Sequence, residues 1–479
     1  MMHKRKERKP NPILDDKTAE LLFRRDDSMD LGSLKSMITG TVSLEDLVQN
    51  PLSDINAINE RLTTIRELVV NHDTRKRMQA VAEAFSIKYD EFYQKVQEYV
   101  EAQRADSYSQ QRIVRELSGF IGNIAEAAGN LPLDVGSVQF KSKILDEVAS
   151  NFNRMMEERQ DSAKAFFEYI IKLNERIQEK ASQGKDKKKV QPAWLAHDDD
   201  GMSYQQLKEL VDVKELMKFK QYVPTVTAIA AAISPYLRHA EEAIKGKYCE
   251  PIIVPKEENC LIIRNGRTPN WRGYVPNNTH LDSDQRVEVL EGVNNGGKTI
   301  DMKKAMCIAI AALSGSWVPA DYVKVSLRDH IVLRQKGKGD VISAMQQDCR
   351  NVKEATPPDG EYWLIGLDET FTSTERRGGR ALLYGLITYV AEQGHSLLIT
   401  SSHYLGMDKF FSVDGRVVFK HFPFERKQGK NGEIEITFPY KKQDGSLSDV
   451  KYALAVAASK GFDKKTIEYA QERLVSPQK

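Results

Sequence analysis

A chain of 479 residues exceeds what one hydrophobic core serves and predicts two or three domains. Its 41% hydrophobic and 29% charged residues describe a soluble globular protein rich in charged helices, and no apolar run is long enough to span a bilayer. With 70 basic against 68 acidic residues the formal net charge is only +2, which excludes a global field for polyanions and leaves any such contact to local patches. Four cysteines (Cys249, Cys260, Cys307, Cys349) lack metal-ligand spacing and are too sparse for a disulfide framework, so a reducing, cytosolic interior is expected.

Met1–Pro12 carries His3, Lys4, Arg5, Lys6, Arg8 and Lys9 against one acid, Glu7. No apolar segment follows it, so it is not a signal peptide, and it reads as a disordered, solvated basic tail rather than a DNA-contacting arm. From Ile13 the pattern is helical. Pro51-Leu52-Ser53 makes a turn, and Asp54 is the expected N-cap of a helix whose Ile55, Ile58, Leu62, Ile65, Leu68 and Val69 share one face. Helical periodicity continues through 85–127 and breaks around Leu131-Pro132-Leu133.

Leu145, Val148, Phe152, Met155, Arg159, Ala163, Phe166, Ile170, Leu173 and Ile177 then recur at steps of three and four. As one helix of roughly nine turns this stretch would reach about 50 Å. It reads either as an arm packed on a partner helix or as an ordinary long bundle helix. Its end carries Lys185, Lys187, Lys188 and Lys189, a basic tip that would either touch a phosphate backbone or sit in water as a solvated loop. Asp198-Asp199-Asp200 reads as a solvated loop rather than a divalent-metal cluster. After a further helical section, 204–244, the pattern changes to strands at Ile252-Ile253-Val254 and Leu261-Ile262-Ile263. The expected organisation is therefore a tail at 1–12, a helical part at 13–250 and an α/β part at 251–479, an α + α/β fold.

The α/β part holds the residues that suggest chemistry. A short apolar run, 286–290, leads into Gly292-Val293-Asn294-Asn295-Gly296-Gly297-Lys298-Thr299 and then a helical pattern from Met302 to Leu313. Strand, glycine-rich turn and helix form the context of a phosphate-binding loop. Backbone N–H groups and the helix N-terminus meet the anion, Lys298 reaches the β- and γ-phosphates, and Thr299 ligates Mg²⁺. About 70 residues later, the buried-strand run 362–367 ends in Asp368-Glu369. Asp368 is the candidate Mg²⁺ partner and Glu369 the candidate base that orients or deprotonates water. The next apolar strand ends in Ser401-Ser402-His403-Tyr404, where His403 is placed to sense the γ-phosphate or the attacking water.

These segments, with Gly273-Tyr274-Val275-Pro276-Asn277 before them and 452–474 after them, resemble the ATPase domain of the MutS family of DNA mismatch repair proteins. Upstream, Gly40-Thr41 and 51–68 more loosely resemble the start of that family's helical core. The resemblance implies long lever helices preceding a P-loop, ABC-like ATPase domain, ATP and Mg²⁺ as cofactors, and DNA, duplex or branched, as partner. It also implies Tyr274 against the adenine, Asn294 near the γ-phosphate, Ser343 acting in trans on a partner's nucleotide, and hence a homodimer or a heterodimer with a relative. The lysine tip would lie near the family's DNA clamp.

Departures from the family accompany the likeness. The chain begins at the helical core, and its one Phe-x-Glu, Phe166-Phe167-Glu168, sits in the periodic pattern as packing, so the N-terminal mismatch-recognition domain is expected to be lacking. Thr370-Phe371-Thr372-Ser373-Thr374 follows Glu369 with a loop two residues shorter than the family's, Val293 replaces a proline, and Ile300 replaces a hydroxyl residue. The expected function is a DNA-linked, Mg²⁺-dependent ATP hydrolase, cytoplasmic or associated with nucleoid or nucleus, with no membrane partner. Two alternatives are a DNA-binding scaffold that uses ATP as structural glue, favoured by the shortened loop, and an ABC-type chromosome-maintenance ATPase, disfavoured because the long helices precede the phosphate loop.

Overall fold

The computed structural model describes residues 14–15, 17–18, 54–132, 140–157, 162–182, 202–268, 275–293, 295–335, 344–404, 406–428, 434–447 and 452–475. The chain divides into two compact units, Thr63–Glu241 and the discontinuous pair Met1–Leu62 with Glu242–Lys479. The division falls inside two helices, α1 (Ile55–Val70) and α9 (Val223–Gly246).

The first unit is helical. Besides parts of α1 and α9 it contains α2 (His72–Phe85), α3 (Tyr89–Glu101), α4 (Ser107–Gly129), α5 (Lys143–Met156), α6 (Ala163–Ser182), α7 (Tyr204–Leu210) and α8 (Val213–Lys218). Helix starts follow capping chemistry: Asp54 Oδ1 accepts the Asn56 N–H at 2.8 Å before α1, Asp106 caps α4, and Ser203 with Gln206 forms a capping box on α7. The core is aromatic. Phe166 stacks on Phe219 at 4.2 Å between centroids, Phe167 lies 5.2 Å from Phe219, and Phe85 lies 5.8 Å from Phe152.

The periodic stretch from Leu145 to Ile177 is two helices, not one. α5 ends where Glu157 turns to ψ 143, and α6 begins at Ala163 behind Ser162, whose Oγ accepts the Ala165 N–H at 3.2 Å. Between Met156 and Ser162 the chain reads Glu-Glu-Arg-Gln-Asp, which offers no apolar face to bury, while Ser162 supplies a helix start. Apolar spacing happens to stay in phase across that break.

The second unit is α/β. Its larger sheet has the order β12-β9-β4-β8-β7-β6, formed by β4 (Val287–Gly292), β6 (His330–Gln335), β7 (Trp363–Asp368), β8 (Leu397–Ser402), β9 (Val417–Phe422) and β12 (Gln443–Asp444). All neighbours are parallel except β12 against β9. A second sheet, β1-β5-β2-β3, uses β1 (Ile252–Val254), β2 (Leu261–Gly266), β3 (Asn277–Leu281) and β5 (Tyr322–Ser326). β10 (Glu425–Gln428) and β11 (Ile434–Thr437) form a hairpin. α10 (Lys298–Leu313) is buried on nearly every side, in one core with residues of both sheets. Gly366 on β7 permits this packing, since a Cβ there would stand 2.5 Å from Met306 Sδ. α12 (Arg376–Gln393) shares a separate core with β4, β7 and β8, and α11 (Ala344–Glu354) contacts β6. The last helices are α13 (Tyr452–Ser459) and α14 (Lys464–Val475).

The edge of β6 is not open. Leu14 makes a parallel bridge to Ile331, and Thr18 Oγ1 accepts the Leu333 N–H at 2.9 Å. Arg334, almost wholly buried, is held between Asp15 and Glu354. Burial works against ionisation of Asp15, but the Arg334 and Thr18 donors outweigh it and hold the carboxyl below the usual aspartate range. Among the described residues no helix is long and apolar enough to cross a membrane, and no three His, Cys, Asp or Glu side chains gather as a metal cluster. Met1–Pro12, Gly40-Thr41, Asp198-Asp199-Asp200 and the lysines 185 and 187–189 lie outside the described residues.

Candidate functional site

β4, β8 and β7 lie side by side and parallel, so their C-terminal ends meet at one rim of the sheet. β4 runs into the glycine-rich turn through Gly292. Asn295 has φ 65, Gly297 has φ 110, and Gly297 is the N-cap of α10. A side chain at Gly297 would meet both a left-handed backbone and Tyr440 Cδ1 at 3.3 Å, so glycine fits there for two reasons. The turn closes through the Gly296 N–H to the Val293 carbonyl at 3.1 Å.

Lys298 opens α10 with its ammonium donating to the carbonyls of Gly292 (2.7 Å) and Val293 (3.1 Å). Burial lowers its pKa below the ordinary lysine value, and the charges of Glu369 and Asp368 pull in the opposite direction. Thr299 Oγ1 donates to Asp368 Oδ2 at 2.9 Å. His403, just past β8, sits with Nε2 2.9 Å from Glu369 Oε1. Lys298, Thr299, Asp368, Glu369 and His403, drawn from three separate stretches of sequence, therefore converge on one rim together with Gly292, Asn295, Gly296 and Gly297. Tyr274, Asn294 and Ser343 lie outside the described residues.

Three further features join the site without a motif to announce them. Gln335, the last residue of β6, donates to Asp368 Oδ2 at 3.1 Å. Ser401 Oγ donates to Asp368 Oδ1 at 2.7 Å and accepts the Glu369 N–H at 2.8 Å. Beneath the turn, Lys442 Nζ donates to Glu288 Oε1 (2.6 Å) and Asp301 Oδ2 (2.8 Å), while Lys304 Nζ donates to Asp301 Oδ1 (2.6 Å). Burial opposes the Lys442 charge, yet Asp301 and Glu288 more than offset it and raise its pKa. Asp301, against the same burial, is held low by Lys304 and Lys442. This ionic group ties β4 and α10 to the segment before β12. The polar Ser401-Ser402-His403 sequence at the end of an apolar strand offered a signal for Ser401; nothing local singled out Gln335 or Lys442.

The donors present suit a hard divalent cation. A threonine hydroxyl and an aspartate carboxylate side by side are oxygen ligands of the kind that hold Mg²⁺. A glycine turn at a helix N-terminus with a buried lysine suits an anion of phosphate type.

A family model described as MutS domain V matches residues 288–476, which include the turn, both acids and His403. DNA mismatch repair protein MutS of Staphylococcus epidermidis is 26% identical over 271 residues, 53% of this chain and 30% of that protein. This part of the chain is thus similar to the MutS family. Other similar members are MutS of Carboxydothermus hydrogenoformans, 27% identical over 54% of this chain and 31% of its own length, and human DNA mismatch repair protein Msh3, 32% identical over 34% and 15%. The chain thus spans less than a third of the length of these MutS-family relatives.

Proposed function

We propose that this chain is a Mg²⁺-dependent ATP hydrolase of MutS type that works on DNA. The observation carrying this reading is the Thr299–Asp368 contact at 2.9 Å beside the Glu369–His403 contact at 2.9 Å, on the rim where β4 meets the glycine turn. In this reading Gly292–Lys298 wrap the phosphates of ATP, and Thr299 and Asp368 hold Mg²⁺. When bound, the cation supplies charge neutralisation to the phosphates. Lys298 exchanges its two carbonyl partners for phosphate oxygens. Glu369 orients the attacking water and accepts its proton, and His403 holds the Glu369 carboxylate through its Nε2 contact.

The finer assignments follow the same reading. Residues 251–479 form a P-loop ATPase domain, 13–250 a helical core with lever arms, and 1–12 a basic tail. Tyr274 stacks on adenine, Asn294 meets the γ-phosphate, and Ser343 completes the nucleotide site of a partner subunit, making the working form a homodimer or a heterodimer with a relative. Lys185, Lys187, Lys188 and Lys189 meet the DNA backbone, and the protein acts in the cytoplasm, nucleoid or nucleus. ATP held between two subunits adds contacts that shift the arms toward a closed clamp.

Steady-state phosphate release with and without DNA tests the proposal. Glu369→Gln should lose about 100- to 10,000-fold in turnover, the range for a positioned base, while keeping ATP bound. Tight ATP binding with zero turnover in the unmodified protein would favour the scaffold, with ATP as structural glue.

A further inference from the structure

Ser401 contacts both acids of the site at once. Its residue is 1% exposed, it lies on β8, and its hydroxyl has one proton to give and lone pairs to receive. The proton goes to Asp368 Oδ1 at 2.7 Å, and a lone pair accepts the Glu369 N–H at 2.8 Å. The other Asp368 oxygen takes Thr299 Oγ1 at 2.9 Å and Gln335 Nε2 at 3.1 Å, so both carboxylate oxygens are held.

Glu369 itself has φ 53, a left-handed backbone that a non-glycine side chain enters only when its surroundings compel it. Two bonds supply that compulsion. One is the N–H to Ser401 Oγ, and the other is Thr372 Oγ1 donating to the Glu369 carbonyl at 3.0 Å. The backbone so fixed aims the side chain, whose Oε1 reaches His403 Nε2 at 2.9 Å.

The geometry points to Ser401 as a positioning residue that sets the carboxylate of Asp368 and the backbone of Glu369 together, so that the metal-holding acid and the water-orienting acid are registered to each other by one hydroxyl. This rests on the roles proposed above for those two acids. Gln335 acts on Asp368 alone and serves as the internal comparison.

The test uses the full chain with Ser401→Ala, Ser401→Thr and Gln335→Leu. In the nucleotide-free protein, the Glu369 amide of Ser401→Ala should exchange with deuterium roughly tenfold faster, the factor for losing one hydrogen bond, while that of Gln335→Leu should not change. Mn²⁺ affinity in the presence of ATP, read by paramagnetic resonance, should fall on the order of 10- to 100-fold for Ser401→Ala, as it does when partners of metal ligands are removed. Turnover should fall with it while KM for ATP holds, and Ser401→Thr should restore both. Unchanged amide exchange and Mn²⁺ affinity in Ser401→Ala overturn the assignment. Should the alanine variant lose its melting transition, Ser401→Cys keeps the volume but bonds weakly and carries the same comparison. An unmodified protein that releases no phosphate from Mg-ATP sinks the proposed hydrolase instead, and the amide exchange still reports on Ser401.

Discussion

The two units bury different things. Among the described residues of Thr63–Glu241, no aspartate, glutamate, lysine or arginine is buried, and the interior is closed by rings such as Phe85, Phe152, Phe166 and Phe219. The other unit buries Glu288, Glu291, Lys298, Asp301, Lys304, Arg328, Arg334, Asp348 and Asp368. Burying charge is costly unless partners answer it, so a concentration of it in one unit marks where the chain has been shaped for something besides packing. The pairing differs within that unit too. Asp301, Lys304, Lys442 and Glu288 bond to one another, whereas Arg328 meets neutral partners (Asn259, Ser326 and the Cys260 carbonyl), and burial lowers its pKa to about 10.

Substitutions can break that contrast. Lys442→Met leaves Glu288 and Asp301 facing a buried methyl group and should cost about 3–5 kcal/mol in denaturant unfolding, the price of an orphaned buried ion. Adding Glu288→Leu should recover part of the loss. If the single variant is as stable as the parent, the ionic group is not a closed network. In the helical unit Phe219→Ala should cost a similar ~3–5 kcal/mol for a different reason, lost transfer energy plus a cavity. There, no second substitution of a charged residue should rescue it.

Smaller effects sharpen the boundary. Ser162→Ala removes the N-cap of α6 and should cost about 1 kcal/mol, with Gly in its place costing less. A loss near zero would argue that α6 is set by tertiary packing alone. Asp15, whose side chain is 40% exposed, should contribute less than about 1 kcal/mol through Arg334. Its pKa is depressed in the folded chain, so the contribution is full above the ordinary value of 3.8 and disappears as pH falls through the lower folded value. Asp15→Asn should therefore lower unfolding free energy at neutral pH and make no difference in strong acid.

How much of this was readable in advance depends on the range over which each feature is encoded. The rim of the large sheet was legible because Gly292–Thr299, Asp368-Glu369 and His403 each sit within a few residues of a strand end. Local pattern also gave the starts of β1 and β2 and the cap at Asp54. The break between α5 and α6 was missed because apolar spacing stayed in phase across it, and the signal lay in Ser162 rather than in periodicity. Lys442 was invisible for another reason: a lysine pair at 441–442 reads as solvent-facing charge until Glu288 and Asp301, 154 and 141 residues away, are seen to meet it. Gln335 and the docking of Leu14 and Thr18 on β6 are equally non-local.

That last contact has a consequence for how the polypeptide is made. Thr18 and Leu333 are 315 residues apart. At a ribosomal rate of about 5–20 residues per second, the early segment emerges tens of seconds before the strand it borders exists. All of Thr63–Glu241 is synthesised in that interval and has no need to wait. The α/β unit, by contrast, cannot close until β6 and the strands that follow it have been made. Nascent chains stalled ahead of residue 330 should therefore keep the segment around Leu14 and Thr18 open to protease.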